Sequence, residues 1–225
     1  MTNFDQIPFG GVEFADNPEP RCPCILLLDT SGSMAGAKIA QLNAGLRTFS
    51  EELKSDSMAA KRVEVAIITF GPVTEIQPFI TADAFAPVEL TTTGDTPMGA
   101  AVLKAVEILN DRKGAYRSNG ISYYRPWIFL ITDGAPTDDV AAATNAIRSG
   151  ESQKSFAFYA VGVEDADLAR LRSLSVREPL KLRGLSFREL FVWLSNSLGG
   201  VARSQLGESV PVDNPAAPGG WATAG

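Results

Sequence analysis

Five oxygen-bearing side chains fall in three short segments of this 225-residue chain: Asp29-x-Ser31-x-Ser33, Thr96 and Asp133. Two carboxylates and three hydroxyls, with no nitrogen or sulfur among them, form the donor set of a hard divalent cation such as Mg²⁺, Mn²⁺ or Ca²⁺ rather than of Zn²⁺. The two carboxylates balance the ion's charge formally, and the hydroxyls add none. If the hydroxyls bind directly and the carboxylates sit partly behind water, the ion stays electrophilic and seeks an anionic oxygen from outside. Each segment also has an ordinary explanation. Asp29 can be a turn and helix cap, Thr96 before Pro97 an N-cap, and Asp133-Gly134 a turn pair. Their conjunction is the signal, since all three stand where a strand or loop gives way to a helix.

The elements that must position these residues follow from hydrophobic patterning. Cys24 to Leu28 and Trp127 to Ile131 are short continuous apolar runs, as expected of strands buried on both faces, and each ends at a polar corner, Asp29 or Thr132-Asp133. Val63 to Phe70 and Phe156 to Val163 read as further strands, and Gly71-Pro72 turns the former into a hairpin over Val73 to Pro78. Helical stripes run through Ile39, Leu42, Leu46, Phe49 and Leu53, through Ala101, Val102, Ala105, Val106 and Leu109, and through Phe187, Leu190, Phe191, Leu194, Leu198 and Val201. Ala141 to Arg148 and Asp167 to Leu174 give shorter helices, Leu180 to Leu182 a last edge strand, and Gly114 to Tyr124 a polar loop. Asp138 and Asp139 are expected in the first turn of the helix that follows them. This alternation predicts an α/β fold, doubly wound, with a mostly parallel central sheet, helices on both faces and one antiparallel edge hairpin strand. In such a sheet ligands bind beyond the carboxyl ends of the strands, where Asp29 and Asp133 would meet if their strands are neighbours.

Composition bounds the function. The chain has no histidine, which removes histidine general-base catalysis and histidine metal sites. Its two cysteines, Cys22 and Cys24, are too few for a secreted disulfide framework and read as buried or half-buried thiols. With 20 Lys+Arg against 26 Asp+Glu the net charge is −6, against a polyanion binder, so no nucleic-acid partner is expected. The excess sits in Asp5, Glu13, Asp16, Glu19, Glu208 and Asp213, near the two ends. The organisation expected is an acidic N-terminal extension over 1–20, a neutral domain over 21–203 and a Pro/Gly/Ala-rich tail over 204–225, the ends packing along the domain through Phe4, Phe9, Phe14 and Trp221. No apolar run approaches the ~18 residues of a membrane span, so a cytoplasmic protein with no membrane partner is expected.

LLLDTSGSM (Leu26 to Met34), GDTPMGAAV (Gly94 to Val102) and IFLITDGAPTDD (Ile128 to Asp139) resemble the metal-ion-dependent adhesion site of von Willebrand factor A domains over roughly residues 22 to 200. The resemblance implies that Ser31, Ser33 and Thr96 ligate a metal ion directly and that Asp29 and Asp133 do so directly or through water. It implies a non-enzymatic interaction module or scaffold whose ion binds an acidic side chain of a partner protein. NPEPRCPCILLLDTSGSM (Asn17 to Met34) and FRELFVWLSNSL (Phe187 to Leu198), with a late Trp221, are similar to the bacterial TerY-type subfamily associated with tellurium resistance and stress response. The partner implied there is a protein kinase or phosphatase of the same gene cluster. Two alternatives stand beside this reading. One is a scaffold with an empty site. The other is a Mg²⁺-dependent phosphoryl hydrolase, since a strand-end Asp can accept phosphate. Against the latter, haloacid-dehalogenase-like enzymes carry a second Asp where this chain has Ser31, and no lysine lies near Thr96 or Asp133 in sequence. The basic and aromatic stretch Arg112 to Arg125 reads as a solvated loop or an interaction surface.

Overall fold

A computed structural model describes residues 12–164 and 166–224. Among these, seven strands form one sheet in the order β3-β2-β1-β4-β5-β6-β7: β1 (Cys22–Asp29), β2 (Val63–Phe70), β3 (Thr74–Thr81), β4 (Trp127–Thr132), β5 (Ala157–Gly162), β6 (Leu180–Leu182) and β7 (Ala222–Ala224). β1, β2 and β4 are buried along their whole length, which is why Cys24 to Leu28 and Trp127 to Ile131 read as continuous apolar runs rather than alternating ones, while β2 buries one charge, Glu64. Strands β2-β1-β4-β5-β6 are parallel, and β3 returns antiparallel to β2 as the predicted hairpin strand.

Both faces of the sheet are covered. One side chain layer joins β1, β2 and β4 to α2 (Ala37–Ser55) and α7 (Phe187–Arg203) through Leu46, Phe49, Phe187 and Phe191. The other joins the same strands to α4 (Met98–Ser118), α5 (Ala141–Ser152) and α6 (Leu168–Leu174) through Val102, Leu109 and Ile147. Two short helices, α1 (Val12–Ala15) and α3 (Ser57–Arg62), complete the chain. Cys22 and Cys24 lie buried in the first layer as free thiols, and burial pushes the Cys22 thiol up to about 12.

Three sequence expectations change. Residues 114–118 are helical, not loop, because Tyr116 is drawn into the interior, where its hydroxyl donates to Glu64 at 2.5 Å. Leu180–Leu182 is not an edge, since β7 pairs antiparallel beyond it, using residues read from sequence as tail. Trp221 is buried there and meets Trp193 edge-on, ring centroids 5.5 Å apart. Asp138 and Asp139 precede α5 rather than starting it, and Asp138 caps the neighbouring α4, accepting from the Gly99 and Ala100 N–H groups at 2.9 and 2.8 Å. Of the terminal aromatics, Phe14 packs on Tyr116, while Phe4 and Phe9 lie outside the described residues.

Candidate functional site

The strand order reverses direction between β1 and β4: from β1 the chain moves outward to β2 and β3, then crosses back to β4 on the other side. Parallel pairing of Leu28 with Ile131 puts Asp29 and Thr132 side by side at the carboxyl end of that central pair. Thr132 Oγ1 donates to Asp29 Oδ2 at 2.5 Å, and the Ser31 N–H donates to Asp29 Oδ1 at 2.8 Å. Asp29 is fully buried. Burial raises its pKa, the Ser31 and Thr132 hydrogen bonds oppose that rise, and the charge of Asp133 adds to it. The charge of one strand-end carboxylate is therefore felt at the other, as expected of neighbouring strands.

The rest of the site is assembled by backbone contacts between loops. The 30–33 loop is tied to the segment before α4 by hydrogen bonds from Gly32 N to Gly94 O (3.1 Å) and from Thr93 N to Thr30 O (2.7 Å). Gly94 has φ +70° and its backbone crosses Gly71, where an added Cβ would fall onto the Gly71 carbonyl oxygen. Glycine is required on both counts. This crossing sets Thr96, whose hydroxyl makes no cap to α4: the helix starts at Met98, with Pro97 in the capping position and no side-chain cap. The N-cap role that the sequence allowed for Thr96 is thus taken by Asp138, which leaves the Thr96 hydroxyl for the site.

A hydrogen-bonded chain crosses the rim. Ser31 Oγ lies 3.0 Å from Ser33 Oγ, and Ser33 Oγ donates to Asp133 Oδ1 at 2.7 Å. Ser31, Thr96 and Asp133 are buried and Ser33 is exposed, so the cluster has a closed floor and an open side. Gly134 marks its centre: a Cβ there would lie 3.3 Å from Thr96 Oγ1 and 3.8 Å from Ser33 Oγ. All five sequence-predicted residues are gathered. Asp95, beside Thr96, is exposed. A hard divalent cation fits this arrangement, because every donor is oxygen and two are carboxylates. Among the described residues no group of three or more His, Cys, Asp or Glu could hold a metal, so the hydroxyls are essential to any such site.

No lysine lies near Asp133 in sequence, but the fold brings Lys38 to it across 95 positions. From the first turn of α2 its Nζ donates to Asp133 Oδ2 at 2.5 Å and to Ser33 O at 3.3 Å, and lies 3.3 Å from Glu164 Oε2. Burial lowers its pKa, but Asp133 and Glu164 outweigh that and hold it above the ordinary lysine value. Nothing in the spacing from Ser33 signalled this contact. Thr132 was also missed as a site residue, although a threonine ending an apolar strand was its trace in the sequence.

The family model for the von Willebrand factor type A domain matches residues 24–183. No curated protein sequence matches the chain. Solved structures resemble it in fold. The pilus adhesin SpaC from Lactobacillus rhamnosus GG, in its open conformation, superposes with a TM-score of 0.62 at 12% identity, covering 82% of this chain and 31% of that one. The ArnB paralog VWA2 from Sulfolobus acidocaldarius gives a TM-score of 0.53 at 17% identity, over 80% and 45% of the two chains. For the vWF domain of the type V pili tip protein Mfa5 from Porphyromonas gingivalis the values are 0.57 and 12%, over 85% and 99%. This chain thus spans under a third of SpaC and under half of VWA2. With the family model covering most of the chain and the sheet order agreeing, this protein belongs to the von Willebrand factor type A domain family.

Proposed function

We propose that this chain is a non-enzymatic, metal-dependent protein-interaction module, in which Asp29, Ser31, Ser33, Thr96 and Asp133 hold a divalent cation, Mg²⁺ or alternatively Mn²⁺ or Ca²⁺. When bound, the ion supplies an electrophilic position for a carboxylate of a partner protein. The observation that carries this reading is the oxygen-only rim around Gly134, with its floor buried and Ser33 exposed. Asp29 anchors the site: both of its carboxylate oxygens accept hydrogen bonds, which fixes their direction. Ser33 and Asp133 hold each other in place. The resemblance to the TerY-type subfamily adds the finer setting, a cytoplasmic bacterial scaffold in tellurium resistance or stress response whose partner is a kinase or phosphatase of its gene cluster.

Lys38 favours a second reading, a scaffold whose site works without metal, because an ammonium already sits on Asp133. It also revives the lysine that a phosphoryl hydrolase needs. That enzyme reading is weakened by Asp29 itself, which is fully buried with both oxygens engaged, whereas a phosphate acceptor must present a free one.

Calorimetric titration with MgCl₂ tests the proposal. Wild type binds one ion, and Asp133→Ala loses binding while keeping its circular dichroism spectrum. Saturation at 100 times Kd stabilises wild type by about 2.7 kcal/mol in urea unfolding and leaves the variant unmoved. Unchanged Mg²⁺ affinity in Asp133→Ala, or no binding by wild type, overturns the metal reading. Phosphatase turnover lost in Asp29→Asn would move the assignment to the enzyme.

A further inference from the structure

Lys113, in the last part of α4, is 7% exposed. Its Nζ donates to Ser155 Oγ at 3.1 Å and to Ser155 O at 3.4 Å, both neutral acceptors. Among the described residues no carboxylate lies within ion-pair distance of it. Arg21, fully buried, has Glu64 at 2.8 Å. An ammonium taken out of water without an anion is costly unless an anion comes to it. Burial lowers the Lys113 pKa, and the charge of Arg117 lowers it further, as expected of a cation short of compensation.

Lys113 lines a cavity of about 1040 Å³ at the amino ends of β4 and β5. Tyr123, Trp127 and Tyr159 give it an aromatic wall, and Arg125, Lys154 and Arg177 add positive charge, against Glu208 as the one acidic lining residue. Arg125 and Arg177 share a single carboxylate, Glu151, each at 2.7 Å, which leaves that trio positive. Leu206 and Val212, 47% and 39% exposed, form an apolar lip. Fifteen helical residues, ~22 Å of axis, separate Lys113 from the start of α4 beside the candidate metal centre, so this groove is a different site.

We propose that this groove binds an acidic peptide segment of a partner protein, with one Asp or Glu carboxylate seated on Lys113 and apolar side chains between the aromatic wall and the lip. The floor offers one uncompensated ammonium, and its guanidiniums are already turned to Glu151. That matches the single charge of a carboxylate better than a phosphate, which draws several free donors together. An open groove at the upper end of the usual range for small-ligand pockets, with exposed aliphatic residues along its edge, matches a chain segment better than a metabolite.

The probe is a fluorescein-labelled, end-blocked decapeptide of alternating Glu and Leu with a central Phe, followed by anisotropy with its Gln-for-Glu counterpart as control. Expected are binding of the acidic peptide only, a loss of at least 10-fold in Lys113→Met, and a loss of about 3-fold in Lys154→Glu at the rim. Binding survives EDTA and Asp133→Ala, which separates this groove from the metal centre. No binding by wild type, equal binding by both groove variants, or loss with EDTA overturns the proposal. Displacement of the peptide by inorganic phosphate at lower concentration than by glutamate overturns it in favour of a phosphate site. Should Lys113→Met not fold by circular dichroism, the surface variant Lys154→Glu decides.

Discussion

The Glu64 cluster at the amino end of the parallel sheet and the Asp29–Asp133 rim at its carboxyl end treat buried charge in opposite ways. At the amino end, Glu64 near the start of β2 is fully buried and fully compensated. It accepts from Arg21 Nε and Arg112 Nε at 2.8 Å and from the Tyr116 hydroxyl, and Phe14 stacks over both guanidiniums at 5.5 and 4.9 Å. Glu151 repeats the pattern with Arg125, Arg177 and the Phe158 N–H. At the carboxyl end, Asp133 has one ammonium, Lys38, which divides its charge with Glu164, while Asp29 accepts only from the neutral Ser31 N–H and Thr132 hydroxyl. Compensated charge of the first kind serves structure: Glu64 has no oxygen left for a ligand, and Glu151 holds its two guanidiniums in place. Charge left short of counterions is where a ligand gains most, and Lys113 is the same case with the sign reversed.

The largest effect should come from breaking the compensated end. Glu64→Ala strands two guanidiniums in the interior and is expected to cost about 3–5 kcal/mol in urea unfolding. The fraction still folded should bind Mg²⁺ with wild-type affinity, and a weakened affinity there would show that the two ends are coupled.

Next is Glu151→Gln, at about 2 kcal/mol near neutral pH. Burial raises the Glu151 pKa, but Arg177, the Phe158 N–H and Arg125 outweigh it and hold it below the ordinary carboxylate value. With the folded pKa depressed, its stabilisation is fully present above the unfolded pKa and lost as pH falls through the folded one. The gap between wild type and Glu151→Gln should therefore close in acid; a gap as wide at pH 3 as at pH 7 would show that its origin is packing rather than charge.

The smallest effect sharpens the uncompensated end. Removing the tethered ammonium in Lys38→Met should tighten Mg²⁺ binding by about 3- to 5-fold, equivalent to up to about 1 kcal/mol, as expected of a partly exposed pair. Calorimetry showing weaker binding would make Lys38 a support of the site rather than a competitor within it.

Among the described residues no helix is long and apolar enough to cross a membrane, in line with the absence of long apolar runs from the sequence. The buried strands announced themselves, because a strand covered on both faces holds mostly apolar residues, and Leu26 to Leu28 and Ile128 to Ile131 form such runs. The segments that end them carried Asp29, Ser31, Ser33 and Asp133 in readable form, since a strand's carboxyl end and the following turn are local, and Thr96 was legible from the helix start that follows it. β7 was not legible: Ala222-Thr223-Ala224 has no strand pattern, and it pairs because Trp221 finds a place against Trp193.

By itself the sequence determined which residues are oxygen donors, that histidine chemistry is excluded, and that strands alternate with helices. These properties belong to single residues and to spacings within one element. Only the tertiary structure decided which charges are answered. Lys38 reaches Asp133 across 95 positions, Arg21 reaches Glu64 across 43, and Lys113 finds only Ser155 across 42. A counterion's position is a property of packing between elements, which no local pattern encodes.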